Sequence, residues 1–331
     1  MFGLAIAAMV ASVAMIACSK EDAPAPQEEP EFYTVHLGWG GEIVDIAYEP
    51  LDTRTATDDL YGIQVYSRPN NNSTATSCEP YAYRLLDNPN EISIDLASGN
   101  KYKFVATMIV DGKEKLDNND NSYPFPFCKA ITEDFVYSTT DQFYYLAGST
   151  TNLKNPEGDT EIPNTDRYYG ELEDFVPSSN NLNAEITMKR VSFCAKFIAE
   201  GALAKSGTLD IQISDAPKMS LTLTEGEDSI SDIFTFPAIT SAWINNDYSA
   251  TISVSFKWIR PDETELQIGT FPITFKRNTT TVVTIKMEND VVEGDQTGGV
   301  GFSIASSETG EMPVDPNNSV TIVDGEVETG E

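Results

Sequence analysis

The chain of 331 residues carries 52 acidic against 21 basic side chains, a net charge of −31, with a single histidine. Such a surface repels phosphate backbones and anionic headgroups, which excludes nucleic-acid binding. Val, Ile, Thr, Tyr and Phe recur between Asn, Asp, Gly, Ser and Pro, the composition of a β protein with many turns, and the length suits two domains.

The first element is apolar. Phe2 to Ala17 is a run of 16 residues, shorter than the ~20 a helix needs to cross the hydrocarbon core. It ends at Ala17-Cys18, followed at once by Ser19-Lys20-Glu21-Asp22. A small residue before a cysteine suits a signal peptidase, and the Cys18 thiol is the group that is acylated. Residues 1–17 are therefore expected to be a lipoprotein signal peptide and Cys18 the lipid attachment site, with the membrane as partner through that anchor. Acyl chains contribute ~0.8 kcal/mol per buried methylene, so more than one, such as added palmitate, makes anchoring stable. Residues 18–31, with Ala23-Pro24-Ala25-Pro26-Gln27-Glu28-Glu29-Pro30-Glu31, form an acidic, Pro-rich tether.

Strand patterns follow. Tyr33, Val35 and Leu37 share one face, Gly38-Trp39-Gly40-Gly41 reads as a turn, and Val44, Ile46 and Tyr48 make a second run. Further runs are Tyr61-Ile63-Val65, Ile92-Ile94-Leu96, and Tyr102 to Val110, which leads into the hairpin dipeptide Asp111-Gly112. Residues 117–183 are looser. From 184 the alternation sharpens, in Ala184-Ile186-Met188, Val191-Phe193-Ala195-Phe197 and above all Ile252-Val254-Phe256-Trp258. No stretch keeps a capped 3.6-residue apolar period. The expected fold is all-β, one antiparallel sandwich per domain, over 32–183 and 184–290.

Residues 291–331 are an acidic extension, without a basic residue after Lys286. Yet Val300-Phe302-Ile304 and Val320-Ile322 still alternate, which a solvated tail does not need. They are candidate donor strands, able to add to a sheet or fill a groove.

Little in the chain points to catalysis. His36, the only histidine, sits in the first predicted strand and reads as a strand-surface or packing residue. With three further cysteines and no Cys-x-x-Cys, a zinc site has almost nothing to be built from. Cys78 and Cys128 lie in turn-rich sequence and are the candidate disulfide; Cys194, within a strand pattern, is expected to be a small core residue. The run Asp117 to Ser122 has the oxygen ligands of a calcium loop, but Ser122 stands at its sixth place and Cys128 at its twelfth. An ordinary polar loop is expected. With 52 acids, a pair of carboxylates specifies no glycosidase. Phe143-Tyr144-Tyr145 and Tyr168-Tyr169 are candidates for stacking sugars, against the commoner role of sheet aromatics in a core. No catalytic, cofactor or metal site is predicted. Arg54 stands out as the one basic residue between Lys20 and Arg68, in the polar run Asp52 to Asp59. A trypsin-like protease cutting between Arg54 and Thr55 would release the anchor, the tether and the strands within Phe32 to Tyr48.

Together these features resemble the fimbrillin-type pilin and lipoprotein family of Bacteroidetes. The resemblance lies in Cys18 with Ser19-Lys20-Glu21-Asp22, an acidic surface-export signal, and in Thr53-Arg54-Thr55 ahead of Leu60-Tyr61-Gly62-Ile63-Gln64-Val65-Tyr66. It extends to Met188-Lys189-Arg190-Val191 and to Phe275-Lys276-Arg277 with Asn278 to Val282. The resemblance implies two tandem transthyretin-like, Greek-key β-sandwiches and an outer-membrane, surface-exposed lipoprotein. It also implies arginine-directed cleavage at Arg54, and donor-strand assembly with other fimbrial subunits in adhesion to a receptor the sequence does not name. Val300 to Val323 would then hold the donor, and the acids after Val323 depart from that pattern. The alternative expectation is a glycan-binding surface lipoprotein working beside a nutrient importer.

Overall fold

A computed structural model describes residues 30–42, 58–71, 77–90, 92–116, 122–140, 142, 153–155, 158–290 and 299–311. The chain is all-β. The first part holds β1 (Phe32–Gly41), β2 (Leu60–Pro69), β3 (Glu79–Leu86), β4 (Ile92–Ala97), β5 (Asn100–Ile109), the one-turn helix α1 (Gly112–Lys115) and β6 (Val136–Tyr137). A small pair, β7 (Leu153–Asn155) and β8 (Gly158–Thr160), precedes β9 (Arg167–Phe175) and β10 (Asn183–Arg190). Apart from that pair, these strands make one eight-stranded sheet in the order β4-β1-β10-β9-β5-β2-β3-β6. All its neighbours are antiparallel except β1 and β10, which are parallel.

That sheet curls until its ends meet. The Tyr81 hydroxyl of β3 and the Tyr137 hydroxyl of β6 both donate to the Asp95 carbonyl of β4, at 2.9 and 3.2 Å. The enclosed core takes Val35 and Leu37 from β1, Ile92, Ile94 and Leu96 from β4, and Ala184, Ile186 and Met188 from β10. β5 shows why this works: Phe104, Ala106 and Met108 point into the curl, while Val105 and Ile109 point outward into a second core. A strand buried on both faces reads as a nearly continuous apolar run.

The second part contains β11 (Ser192–Glu200), β12 (Thr208–Ile213), β13 (Met219–Thr222), β14 (Ser229–Thr235), α2 (Ile239–Ile244), β15 (Ser249–Ile259), β16 (Glu265–Lys276), β17 (Thr279–Asp290) and β18 (Gly299–Glu311). They form two four-stranded sheets, β14-β11-β17-β18 and β13-β12-β15-β16. These face each other through Phe193 against Phe275, ring centroids 4.5 Å apart, and Phe197 against Phe256 at 5.8 Å. The Val254-Phe256-Trp258 alternation behaves as read, buried on one face of β15. As in the first part, the leading strand runs parallel to a late one, β11 beside β17.

Three local expectations differ from the structure. Gly38-Trp39-Gly40-Gly41 is no turn; β1 continues through it, and only Gly41 has a positive φ, 79°. Asp111-Gly112 closes no hairpin. Asp111 is left-handed at φ 52° and opens α1, where Gly112 lies so close to Leu60 that a Cβ would stand 3.0 Å from its side chain. The strand Asn183–Arg190, read as the head of the second unit, pairs with β1 and β9 in the first sheet, and the change of sheet falls at Val191. Alternation assigns a strand its buried face but not its neighbour. The parallel pairs likewise modify the purely antiparallel expectation.

Candidate functional site

The candidate site is the seat of β1. It lies between β4, antiparallel over Phe32–Leu37, and β10, parallel over His36–Gly41, so neither neighbour is joined to it by a hairpin. Val35 is 0% and Leu37 7% exposed, while His36 faces solvent on the opposite side, a strand-surface histidine. Trp39, half-buried, rests on Tyr61 at 5.5 Å between centroids and donates Nε1 to the Pro89 carbonyl at 3.3 Å. At the other end the Thr34 hydroxyl donates to Asp95 Oδ1 at 2.7 Å, and the Ser98 amide to the Glu31 carbonyl at 2.7 Å.

Beyond Gly41 the strand ends on a charged joint. A Cβ at Gly41 would stand 2.5 Å from the Met188 carbonyl oxygen, and the positive φ adds strain for any other residue. This turn brings Glu42 to the junction of the two parts, its amide donating to the Met188 carbonyl at 2.9 Å. Its carboxylate accepts three hydrogen bonds: Arg277 Nη1 at 2.7 Å and the Arg190 amide at 2.8 Å on Oε2, and Arg277 Nη2 at 3.0 Å on Oε1. Arg277 sits in the β16–β17 turn, 4% exposed, and its Nη1 also donates to the Arg190 carbonyl at 2.7 Å.

A second pair lies deeper. Arg190 Nε and Nη2 meet Asp166 Oδ1 and Oδ2 at 2.8 and 2.6 Å, both side chains at most 4% exposed. Burial alone lowers the Arg190 pKa, but the Asp166 carboxylate outweighs it and holds the guanidinium above its ordinary value. Next to it Arg167 is wholly buried and donates Nε to Thr107 Oγ1 at 2.7 Å; burial drops it to about 9. The joint is closed by Tyr169 against Trp243, 5.8 Å and edge-to-face, and by the Lys189 ammonium over the same indole at 5.8 Å. Glu42, Asp166 and Thr107 were not singled out from the sequence. The paired Lys-Arg dipeptides ending β10 and β16 were the one visible trace, because arginines buried at strand ends require facing acceptors.

The remaining candidates are dispersed. Cys18, Arg54 and Thr55, Asp117 to Asn121, Phe143 to Tyr145, and Val320 and Ile322 lie outside the described residues. Val300, Phe302 and Ile304 lie in β18, paired with Asn289, Met287 and Ile285 of the same chain's β17. Ile304 is half-buried and packs on the second core. Cys78 and Cys128 are free thiols, against the expected disulfide. Cys78 borders the start of β3, whereas Cys128 adjoins Lys129, whose ammonium lies over the Tyr83 ring farther along that strand. Cys194 is buried, and burial pushes its thiol up to about 11. Tyr168 and Tyr169 are 3% and 0% exposed, core aromatics that offer no stacking platform. Among the described residues no cluster of His, Cys, Asp and Glu is arranged to hold a metal.

No family model matches the chain, and no curated protein matches it. Among solved structures it is similar to the fimbrial anchor protein Mfa2 from Porphyromonas gingivalis, at 9% identity and TM-score 0.39, over 85% of this chain and 100% of that one. A proposed cell adhesion protein from Bacteroides eggerthii matches at 10% and 0.38, over 84% and 97%. The tip fimbrial protein Mfa3 of Porphyromonas gingivalis, C-terminally truncated, matches at 8% and 0.30, over 83% and 99%. At such identities and scores the likeness assigns no activity to this chain.

Proposed function

We propose that the chain is a surface-exposed lipoprotein subunit of a fimbrial or adhesive assembly, held first by lipid on Cys18 and released for assembly by cleavage after Arg54. Hydrolysis of the Arg54–Thr55 bond leaves a carboxylate on Arg54 and a free amine on Thr55. The observation that carries the reading is the seat of β1. This strand is the first described in the chain, it lies inside a sheet between β4 and β10, and Arg54 falls between it and Leu60, where β2 begins. One cut there frees β1 without severing any described strand. Its departure uncovers Ile94, Ile186 and their neighbours, together with the backbone groups of β4 and β10, which a foreign strand can satisfy.

The test is to treat the full-length protein, and an Arg54→Ala variant, with an arginine-specific protease. Discrete cleavage leaving Thr55 as the new N-terminus, absent in the variant and followed by a ladder of multimers on a denaturing gel, is the expected result. Uniform degradation, or a cleaved but inert monomer, counts against assembly. The N-terminal residue of protein recovered from cells, acylated Cys18 or free Thr55, reports whether processing occurs.

A further inference from the structure

The seat of β1 is selective at one end, because the strand supplies a charge as well as apolar side chains. The joint holds two arginine–carboxylate pairs, Arg190 with Asp166 and Arg277 with Glu42. Asp166 belongs to the segment leading into β9, but Glu42 lies beside β1, on the Arg54 side that leaves with it. Withdrawing the strand therefore removes one anion and leaves the Arg277 guanidinium, 4% exposed, with only the Arg190 and Asn246 carbonyls as described acceptors. A buried cation deprived of its anion is a large penalty, and an incoming carboxylate relieves it.

We propose that the vacated seat takes a β-strand of a different subunit that ends in glycine followed by an acid, the acid docking on Arg277 and the Arg190 amide. This rests on the release of β1 proposed above and names what replaces it. Apolar residues are required at the positions of Val35 and Leu37, which point into the core. Glycine is required at the position of Gly41, where a Cβ would meet the Met188 backbone oxygen at 2.5 Å. Position 40 is tolerant, since there a Cβ meets only the end of the Glu185 side chain. The acid then follows the glycine. Glu42 is 31% exposed, so this end of the seat is open to an incoming group.

The chain's own β18 fits only in part. It also ends in Gly-Glu, and setting Gly310-Glu311 on Gly41-Glu42 puts Phe302 and Ile304 at positions 33 and 35. The same alignment puts Ser306 where Leu37 is buried and Glu308 where Trp39 rests on Tyr61. A hydroxyl and a carboxylate in those places carry a desolvation cost that Leu and Trp do not. β18 is moreover engaged along β17 of its own chain. The favoured donor is thus a strand that keeps the apolar alternation up to its Gly-acid end.

The experiment uses the full chain with a site for a sequence-specific protease placed between residues 51 and 57, so that β1 is freed whether or not Arg54 is a natural target. After nicking, labelled peptides compete with β1 for the seat: Phe32–Glu42, the same peptide with Glu42→Gln, the same with Gly41→Ala, and Gly299–Glu311. The Phe32–Glu42 peptide is expected to be incorporated about tenfold to a hundredfold more than the Gln version, the range of a charge-assisted pair. The Gly41→Ala and Gly299–Glu311 peptides are expected to lag, and an Arg277→Gln protein should no longer distinguish Glu from Gln. Equal incorporation of the Glu and Gln peptides overturns the proposal, as does Gly299–Glu311 matching Phe32–Glu42 or no peptide entering. None of these outcomes bears on whether Arg54 is cut in cells, which the N-terminal residue of the native protein decides separately.

Discussion

Glu42 and Arg277, 235 residues apart in the chain, share two hydrogen bonds of 2.7 and 3.0 Å and tie the end of β1 to the β16–β17 turn. Because Glu42 is 31% and Arg277 only 4% exposed, the pair lies between the surface and buried cases. Glu42→Gln is expected to destabilise by about 1.5–3 kcal/mol, the range for hydrogen bonds to charged groups. Asp166→Asn, which strands Arg190 in a pair at most 4% exposed, should cost more, about 3–5 kcal/mol. Urea denaturation of both variants checks the ranking; a larger loss for Glu42→Gln would contradict it.

The grip on β1 itself is apolar. Leu37→Ala is expected to cost about 2–5 kcal/mol, and His36→Ala, on the exposed face, no more than about 0.5 kcal/mol. Native-state hydrogen exchange should locate the Leu37→Ala effect in β1, β4 and β10. Equal effects at positions 36 and 37 would mean that the strand is not seated as described.

Alkaline pH should unfold the protein early. Tyr81, Tyr102, Tyr169 and Tyr248 are all raised above the ordinary value of 10.0, chiefly by burial, and Tyr169 also by its hydrogen bond to Glu171. The unfolded chain loses these protons first, so their contribution is complete below pH 10 and drains away above it. Arg167, lowered to about 9 by burial, acts in the opposite sense between that value and its ordinary 12.5. Four phenols outweigh one guanidinium. Unfolding free energy should fall above pH 10, with the phenolate absorbance step coinciding with loss of the β circular-dichroism signal. A rise in stability through pH 10–11 would refute this.

The three described thiols should separate by reactivity. Cys128 is exposed, Cys78 half-buried, and Cys194 buried with its thiol pushed up to about 11. An aromatic disulfide reagent at pH 8 is expected to label Cys128 first, Cys78 more slowly and Cys194 only on unfolding. Peptide mapping that finds Cys78 linked to Cys128 would contradict the free pair.

The strands were legible because alternation is local. Val35 and Leu37 in β1, and Val254, Phe256 and Trp258 in β15, announce their buried faces within a few residues. What misled was glycine. Gly38 and Gly40 resemble turn residues yet stay extended, and only Gly41 uses the left-handed region. Sheet membership was illegible for Asn183–Arg190, because its partner β1 lies 147 residues earlier in the register His36–Asn183. The charged joint was hidden for the same reason. Arg190 and Arg277 stood in recognisable dipeptides, but Glu42 was one of 52 acids, and no spacing marks the one that meets Arg277.

The parallel pairing of β1 with β10 has a consequence for the order in which the protein is made. β1 is translated ahead of both strands that hold it, β4 beginning at Ile92 and β10 at Asn183. Ile92 follows Gly41 by 51 positions and Asn183 follows it by 142, and loop-closure entropy defers the more distant of the two pairings. The seat of β1 is therefore complete only once β10 has been made, and before that β1 has β4 alone to pair with. The strand proposed to leave the sheet is thus one whose β10 side the growing chain can seat only late.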